Sequence, residues 1–542
     1  MKVCLLYENN ERLIGEGYYD QESIIQDLGL KSVFSVSAKD LVYEDGNVKK
    51  VEQEDLFLTD TMRRVMMVPL RTKEEIVYRQ EIVKDFLANE EQVRELYDIS
   101  RDVVFKWGTL GKIPGEKAKQ SNPVTRLTTD IRIIRLLCDS LSRVRHVMEE
   151  GWEPSSKGLK NFKKDLSLNF SREREENIRR VLDDISFYTD GSDEEDSGKG
   201  RTVKPRIVLE SGLEDGLKLS SLKLEEVSSS GTKFYRPGST MDKIQNFKNS
   251  LIPDSFPVVG DVRIAEQTDL LEFGVVSFLV DRIRGFIDEF QSFFTQLKFQ
   301  SGFYLAAVQL KAQMERFGVG FCYPEVCGNR DMEFVDLKEL VMAVEQRVVV
   351  IGNSCRFDKK DLLIITGANQ GGKSTFLRSI GIAQVMMQCG LPVAAARYKS
   401  GIFPGIFVHF TRREDSEMNS GRLDEELKRM NGIVENLRED SLLLLNESFA
   451  TTTEKEGSVI AYDIIKALVE AGVRIFTVTH LLSFARRVHE EMKDDPDSAV
   501  EFLSAERKEN GVRTYRMIRH EPELTSFGLD LYEEIVEKNV SI

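Results

Sequence analysis

Residues 367–375 read Gly367-Ala368-Asn369-Gln370-Gly371-Gly372-Lys373-Ser374-Thr375. This glycine-rich run, closed by a lysine and two hydroxyls, fits the pattern G-x-x-x-x-G-K-[ST]. The glycines let main-chain N–H groups approach phosphate oxygens, and the start of a helix adds positive potential. The Lys373 ammonium would reach the β- and γ-phosphates, and the Ser374 hydroxyl suits Mg²⁺. Two further points complete a triphosphate chemistry. Ser441-Leu442-Leu443-Leu444-Leu445 ends in Asn446-Glu447, where a metal-organising residue and a water-polarising carboxylate belong. Glu447 is the candidate general base. Asn446 can orient a metal-bound water but brings no negative charge, so weak Mg²⁺ organisation and slow hydrolysis are expected. Gly472 to Thr479 ends in His480, a candidate sensor of the γ-phosphate. The bland alternatives are a solvated Glu at a strand end and a structural histidine.

These residues need a scaffold that brings three chain points together. Leu362–Ile365, Leu442–Leu445 and Val473–Val478 are short apolar runs separated by helical stretches. That alternation predicts a buried, largely parallel sheet with the three motifs at its strand ends. Upstream, the pattern is helical. Glu74 to Leu96 is rich in helix formers, and Val124 to Met148 places Leu127, Ile131, Ile134, Leu137, Leu141 and Val144 on one stripe. Val275 to Phe317 is the longest periodic stretch, about 60 Å at 1.5 Å per residue. Its aromatic residues read as helix packing ahead of a stacking platform for bases. Residues 1 to about 50 are mixed, with Ser32 to Ser37 alternating as a strand would. Thr189 to Arg201 is acidic and nearly without apolar side chains, the composition of a solvated link. Residues 205–262 give no assignable structure.

With these motifs in place, the C-terminal part resembles the ATPase domain of the MutS family, the DNA mismatch-repair proteins and their relatives within the ABC ATPase superfamily. Residues 367–375 resemble that family's G-P-N-M-G-G-K-S-T loop, changed at Ala368 and Gln370. Asn446-Glu447 through Thr452-Thr453 to Glu456-Gly457 resembles its D-E-x-x-x-G-T-S-T-x-D-G block, and Thr479-His480 its A-T-H ending. Thr514-Tyr515-Arg516 and Ser526-Phe527-Gly528-Leu529 resemble the family's closing strand and helix. Pro69-Leu70 with Arg79-Gln80 resembles the start of its helical core. The resemblance implies an α/β P-loop (ABC-type) ATPase domain at the C-terminus, preceded by a mainly α-helical core and lever region. The expected divisions are a small mixed segment at 1–55, a helical core or lever at 56–165, an irregular and clamp-like insert at 166–262, a long lever helix at 263–335 and the ATPase domain at 336–542. It implies ATP and Mg²⁺ as ligands, with Ser374 and Asn446 at the metal, and a homodimer through the ATPase domain. Ser420-Gly421-Arg422 resembles the start of the family's S-G-R-S-T-F. The family serine that reaches ATP across the dimer falls at Leu423, which leaves Ser420, Arg422, Thr452 and Thr453 as candidates for the trans contact. The mismatch-reading and connector domains of the family have no counterpart in the sequence.

Composition sets outer limits. With 75 Lys+Arg against 90 Asp+Glu, the net charge is −15, so any DNA contact must come from a local basic patch. Lys157, Lys160, Lys163 and Lys164, and Arg282 with Arg284, are the candidates, with solvated helix faces as the plainer reading. No base-reading module is recognisable, so DNA binding would be directed to structure or backbone. Six cysteines without a Cys-x-x-Cys pair suit a reducing cytoplasm, and five histidines out of metal-ligand spacing point away from structural zinc. No apolar run is long enough to cross a membrane. The reading that unites these features is an ATP-gated dimer acting on DNA. A conformational scaffold that binds ATP for a protein partner, with little hydrolysis, stands second, and a small-molecule kinase third.

Overall fold

The computed structural model describes residues 2–8, 16–36, 53–110, 123–186, 206–214, 218–228, 262–328, 331–346, 348–411, 422–492, 499–508 and 512–522. The chain divides into two compact units, one of residues 1–3, 94–153 and 161–298, the other of residues 4–93, 154–160 and 299–542. The acidic stretch 189–201 and the Ser526–Leu529 match lie outside the described residues.

The first unit is mainly helical. The helix Pro123–Glu149 buries Ile131, Ile134, Leu137, Leu141 and Val144, the stripe that the sequence spacing marks out. Phe162 stacks on Phe293 with centroids 6.3 Å apart. Arg145 is nearly buried and is satisfied by Glu175 at 2.6 Å and by the Phe170 carbonyl at 2.9 Å, so its charge is not left alone in the core. Strands β1 (Arg206–Glu214) and β2 (Lys218–Ser228) form an antiparallel hairpin in the stretch that the sequence left unassigned. This unit also holds residues 262–298 of the long helix Val262–Arg316, which starts earlier than the periodic pattern indicates.

The second unit holds two sheets. The smaller contains β3 (Glu325–Val326), β4 (Asp331–Leu337), β5 (Asn353–Asp358) and β7 (Arg397–Ser400), in the order β3-β7-β4-β5. The expected boundary at 335/336 therefore cuts through β4, which pairs with β5 and β7 and belongs with them. The larger sheet adds β6 (Leu362–Thr366), β8 (Ile406–Phe410), β9 (Leu442–Asn446), β10 (Arg474–Val478), β11 (Val500–Arg507) and β12 (Arg513–Arg519) in the order β12-β11-β6-β10-β9-β8. All its pairings are parallel except that of β12 with β11. β6 and β10 are buried along their whole length, as strands covered on both faces must be. On one side lie Met430, Tyr462, Ile465, Leu468 and Phe484.

The helix Lys373–Gln388 is nearly all buried, and its far end is fixed by a buried cation. Arg79 is fully enclosed and donates to the Cys389 carbonyl at 3.1 Å and to the Leu6 carbonyl at 3.0 and 3.2 Å. Its guanidinium sits 4.8 Å from the Tyr7 ring centroid and 5.6 Å from that of Phe303. A positive charge at a helix C-terminus complements the helix dipole.

Two local expectations change. The helical stretch Glu74–Leu96 is split at Asn89 into the helices Lys73–Ala88 and Glu90–Leu110, the first opened by a capping box of Thr72 and Glu75. Ser32 to Ser37 read as a strand, but Leu30–Val36 is a helix. Leu30, Val33 and Phe34 stand at i, i+3 and i+4 and are all buried, so helical burial overrides the short alternation.

Candidate nucleotide site

The sheet brings the three motifs to one edge. β6 leads into the glycine-rich loop, β9 ends at Asn446 and β10 ends at Val478, and β10 is hydrogen-bonded between the other two. The Glu447 N–H donates to the Val478 carbonyl at 2.8 Å, and Thr479 N–H to the Ile365 carbonyl at 3.1 Å. Loop and strand ends are thus tied by main-chain bonds.

The loop's glycines are required by geometry at two points. Gly367 has φ 110°, and a Cβ there would lie 2.8 Å from Ser504 Oγ and 2.9 Å from Ala505 N on β11. Gly372, with φ 90°, caps the helix Lys373–Gln388 without a side-chain bond. The first-turn N–H groups of that helix have no acceptor within it. Gln370 takes φ 61° and is held by Arg513 Nη1 at 3.0 Å. Lys373 is buried, and its Nζ donates to the carbonyls of Gly367 and Ala368 at 2.8 and 2.9 Å. The ammonium is therefore curled onto its own loop, within reach of anything that loop cradles.

Ser374 Oγ donates to Asn446 Oδ1 at 2.8 Å. These two neutral oxygens fit a magnesium ion that takes its remaining ligands from phosphates and water. Among the described residues no cluster of three His, Cys, Asp or Glu side chains could hold a metal by itself. Glu447 adopts φ 57°, a left-handed conformation that costs a non-glycine residue energy and is common at functional sites. Its Oε1 lies 2.9 Å from His480 Nε2. That hydrogen bond first, then the charges of His480 and Lys373, hold the Glu447 carboxyl below the ordinary carboxylate range, while burial works against them. Thr411 Oγ1 supports the turn by donating to the Glu447 carbonyl at 2.7 Å.

A cleft of about 530 Å³ opens over this edge. Residues 369–376 and Glu447 line one part. Met342, Val349, Ile351 and Tyr515 line another. Val349 is 89% exposed, an apolar surface left open at the mouth. Sequence reasoning did not find these residues. The Val348-Val349-Val350-Ile351 run before Gly352 is a local signal. Tyr515 stands in the closing-strand match and Asn353 carries no signal; the two meet only through the fold: Asn353 accepts from Met517 N–H at 2.7 Å and donates to the Tyr515 carbonyl at 3.2 Å.

Of the other candidates, Thr453 caps the helix Glu454–Glu470, and Thr452 Oγ1 donates to Glu456 at 2.6 Å. Glu426 fastens the preceding turn by accepting from Phe449 N–H and Thr451 Oγ1, each at 2.6 Å. Ser420 lies outside the described residues, and Arg422 opens a helix without a described side chain. Within the candidate basic patches, Lys157 pairs with Glu8, Lys163 with Glu153 at 2.5 Å and Arg284 with Asp130 at 3.5 Å. The side chain of Arg282 lies outside the described residues.

Two family models match the chain. The family model MutS domain V matches residues 363–538, which contain the glycine-rich loop, Asn446-Glu447 and His480. MutS2 N-terminal domain matches residues 71–192. The chain belongs to the MutS family. Within this family, it is 32% identical over 184 residues to Endonuclease MutS2 of Carboxydothermus hydrogenoformans, covering 33% of the chain and 23% of that protein. It is 33% identical over 138 residues to Endonuclease MutS2 of Thermotoga neapolitana, covering 25% of the chain and 18% of that protein. It is 32% identical over 129 residues to DNA mismatch repair protein MSH3 of Debaryomyces hansenii, covering 23% and 12%. The matches thus span less than a quarter of these MutS-family relatives. No described helix is long and apolar enough to cross a membrane.

Proposed function

We propose that the chain binds Mg²⁺-ATP in the cleft over the glycine-rich loop and hydrolyses it to ADP and phosphate. The observation that carries this is convergence: Lys373, the Ser374–Asn446 pair and the Glu447–His480 pair stand at one edge of one largely parallel sheet. Loop N–H groups and Lys373 hold the phosphates, the lysine exchanging its loop carbonyls for phosphate oxygens. Ser374 and Asn446 would hold Mg²⁺, which supplies charge neutralisation at the β- and γ-phosphates. Glu447 takes a proton from a water whose oxygen bonds to the γ-phosphorus, while the bond to the bridging oxygen breaks and its electron pair leaves with ADP. His480 orients the carboxylate.

The remainder of the proposal follows the family. Two copies meet through their ATPase domains, with Thr451–Gly457 or Ser420–Arg422 of one closing over the nucleotide of the other. Closure gates the helical region on DNA through contacts with its backbone, in a cytoplasmic setting. Steady-state ATP turnover, with and without duplex, mismatched, branched and single-stranded DNA, tests this. Turnover stimulated by one of these and lost in Glu447→Gln is expected; turnover unchanged in Glu447→Gln would overturn the hydrolytic mechanism.

Asn446 favours a second reading. A neutral amide at the metal weakens Mg²⁺ binding, and ATP would then act as a conformational ligand read by a protein partner. Tight Mg²⁺-ATP binding with negligible turnover separates the two.

A further inference from the structure

The turn that carries Glu447 is strained at two places. Glu447 has φ 57° and Phe449, two residues on, has φ 65°. Left-handed backbone is unfavourable at residues other than glycine and persists only where the surroundings over-determine it. The near side of the turn is held at Glu447 itself, by its N–H on the Val478 carbonyl at 2.8 Å and by Thr411 Oγ1 on its own carbonyl at 2.7 Å. Ser448 Oγ donates to the His409 carbonyl at 2.9 Å. The far side is gripped by one side chain, Glu426 of the helix Arg422–Asn436. Its Oε1 accepts from the Phe449 N–H and its Oε2 from Thr451 Oγ1, each at 2.6 Å. Glu426 is 9% exposed, and both of its oxygens are directed to this turn. Its helix is itself anchored: Arg429, three residues on, donates to the Phe410 carbonyl at 2.9 Å and to Asp27 at 2.5 Å. Opposite the grip stands a wall. The Phe449 carbonyl lies against Gly457, where a Cβ would come within 2.4 Å of it, and the Phe449 side chain is fully buried.

We propose that Glu426 is a positioning residue for hydrolysis: by holding Phe449 and Thr451 it keeps the turn in the left-handed form that sets the Glu447 carboxylate beside His480 and in the cleft. This inference rests on the proposed role of Glu447 as general base. Glu426 is not among the residues that line the cleft, so its effect on the reacting atoms passes through the main chain of the turn. Two donors two residues apart call for a forked acceptor, and a carboxylate makes such bonds at charge-assisted strength. Without it the buried Phe449 N–H has lost its acceptor, and the backbone there relaxes towards the ordinary negative φ. That change re-aims the chain on both sides of Phe449, Glu447 included. A general base must lie within hydrogen-bond reach of the proton it takes, and a displacement of about 1 Å is enough to slow a reaction by roughly 100-fold.

The test is single-turnover hydrolysis at saturating Mg²⁺-ATP, with equilibrium ATP binding measured alongside, on the full chain. Wild type is compared with Glu426→Ala, Glu426→Asp, Glu426→Gln, Glu447→Gln and the double variants that join Glu447→Gln to Glu426→Ala or Glu426→Asp. Glu426→Ala should slow hydrolysis by about 10- to 100-fold, the scale of a misplacement near 1 Å, with ATP affinity kept within a few-fold. Glu426→Gln can serve both contacts, its oxygen accepting the Phe449 N–H and its NH₂ donating to Thr451 Oγ1, so its rate should stay within a few-fold of wild type. Glu426→Asp keeps the charge but is one methylene too short to span both contacts, and its rate should fall between the other two. Should Glu426→Ala not fold, Glu426→Asp carries the comparison. In the Glu447→Gln background neither substitution at 426 should slow hydrolysis further, because the path runs through Glu447. A residue that served only stability would lower rate and ATP affinity together, in either background. Wild-type rates in Glu426→Ala and Glu426→Asp, or a further loss of about 10-fold in the double variants, would overturn the proposal and leave Glu447 as the base. A wild-type rate in Glu447→Gln would instead overturn the general base, and this inference with it.

Discussion

His480 Nε2 lies 2.9 Å from Glu447 Oε1, joining the ends of β10 and β9 across the mouth of the phosphate loop. This contact is the main reason that the Glu447 carboxyl is held below the ordinary carboxylate range, with burial opposing it. A lowered folded value means that Glu447 is ionised at neutral pH. It loses its charge only below the usual glutamate value of about 4.3. The stabilisation from this contact is therefore present above that pH and fades as pH falls through the folded value. In kcat/KM the acid limb should lie below about pH 4.3 in the wild type. In His480→Ala burial is opposed by Lys373 alone, and the limb should move up. A pH–rate profile with the same acid limb in both proteins would show that His480 does not tune Glu447.

Replacing Glu447 by Gln removes the proton acceptor while keeping the side chain's size. Turnover should fall by about 10²- to 10⁴-fold, the usual contribution of a general base. ATP affinity should stay within a few-fold, because the cradle is made by the loop and Lys373. Rapid-quench hydrolysis together with equilibrium binding separates these effects.

Asn446 accepts from the Ser374 hydroxyl at 2.8 Å, and an aspartate would occupy the same place with a charge. Asn446→Asp should lower the Mg²⁺ concentration needed for half-maximal turnover and leave the maximal rate equal or higher. A magnesium titration that moves the other way would mean the amide has a role of its own.

Arg79 joins the Leu6 carbonyl to the Cys389 carbonyl at the closed end of the loop helix. Arg79→Met keeps most of the volume but leaves both carbonyls without this donor. The expected loss is roughly 3–5 kcal/mol, from orphaned buried acceptors plus imperfect packing. Urea denaturation measures it, and a loss under about 1 kcal/mol would contradict the structural role given to this cation.

The parts of the fold legible in the sequence are those written locally. Leu362–Ile365 and Leu442–Leu445 are apolar runs with sharp ends, and β6 and β9 form where they stand. The stripe from Ile131 to Val144 is buried as its spacing requires. What escaped depends on distant chain or on broken periodicity. The hairpin of β1 and β2 has register shifts at Val208/Leu209 and Gly212/Leu213, which interrupt the period of two that marks a strand. In the site, the loop, Asn446, Glu447 and His480 were visible as motifs, yet the contact of His480 with Glu447 was not, since a γ-phosphate role was the expectation. Tyr515 was legible only as part of a strand match, and its place in the site appears only when β12 and the loop share one cleft.

The central claim is that a triphosphate is held by the loop of residues 367–375 and the ammonium of Lys373. Calorimetric titration of the full chain with a non-hydrolysable ATP analogue and Mg²⁺, compared with Lys373→Ala, tests it most directly. The account predicts saturable binding, one nucleotide per chain, weakened at least 100-fold by the substitution, about 2.7 kcal/mol at 25 °C. Binding of equal strength in both proteins, or none in the wild type, would contradict it.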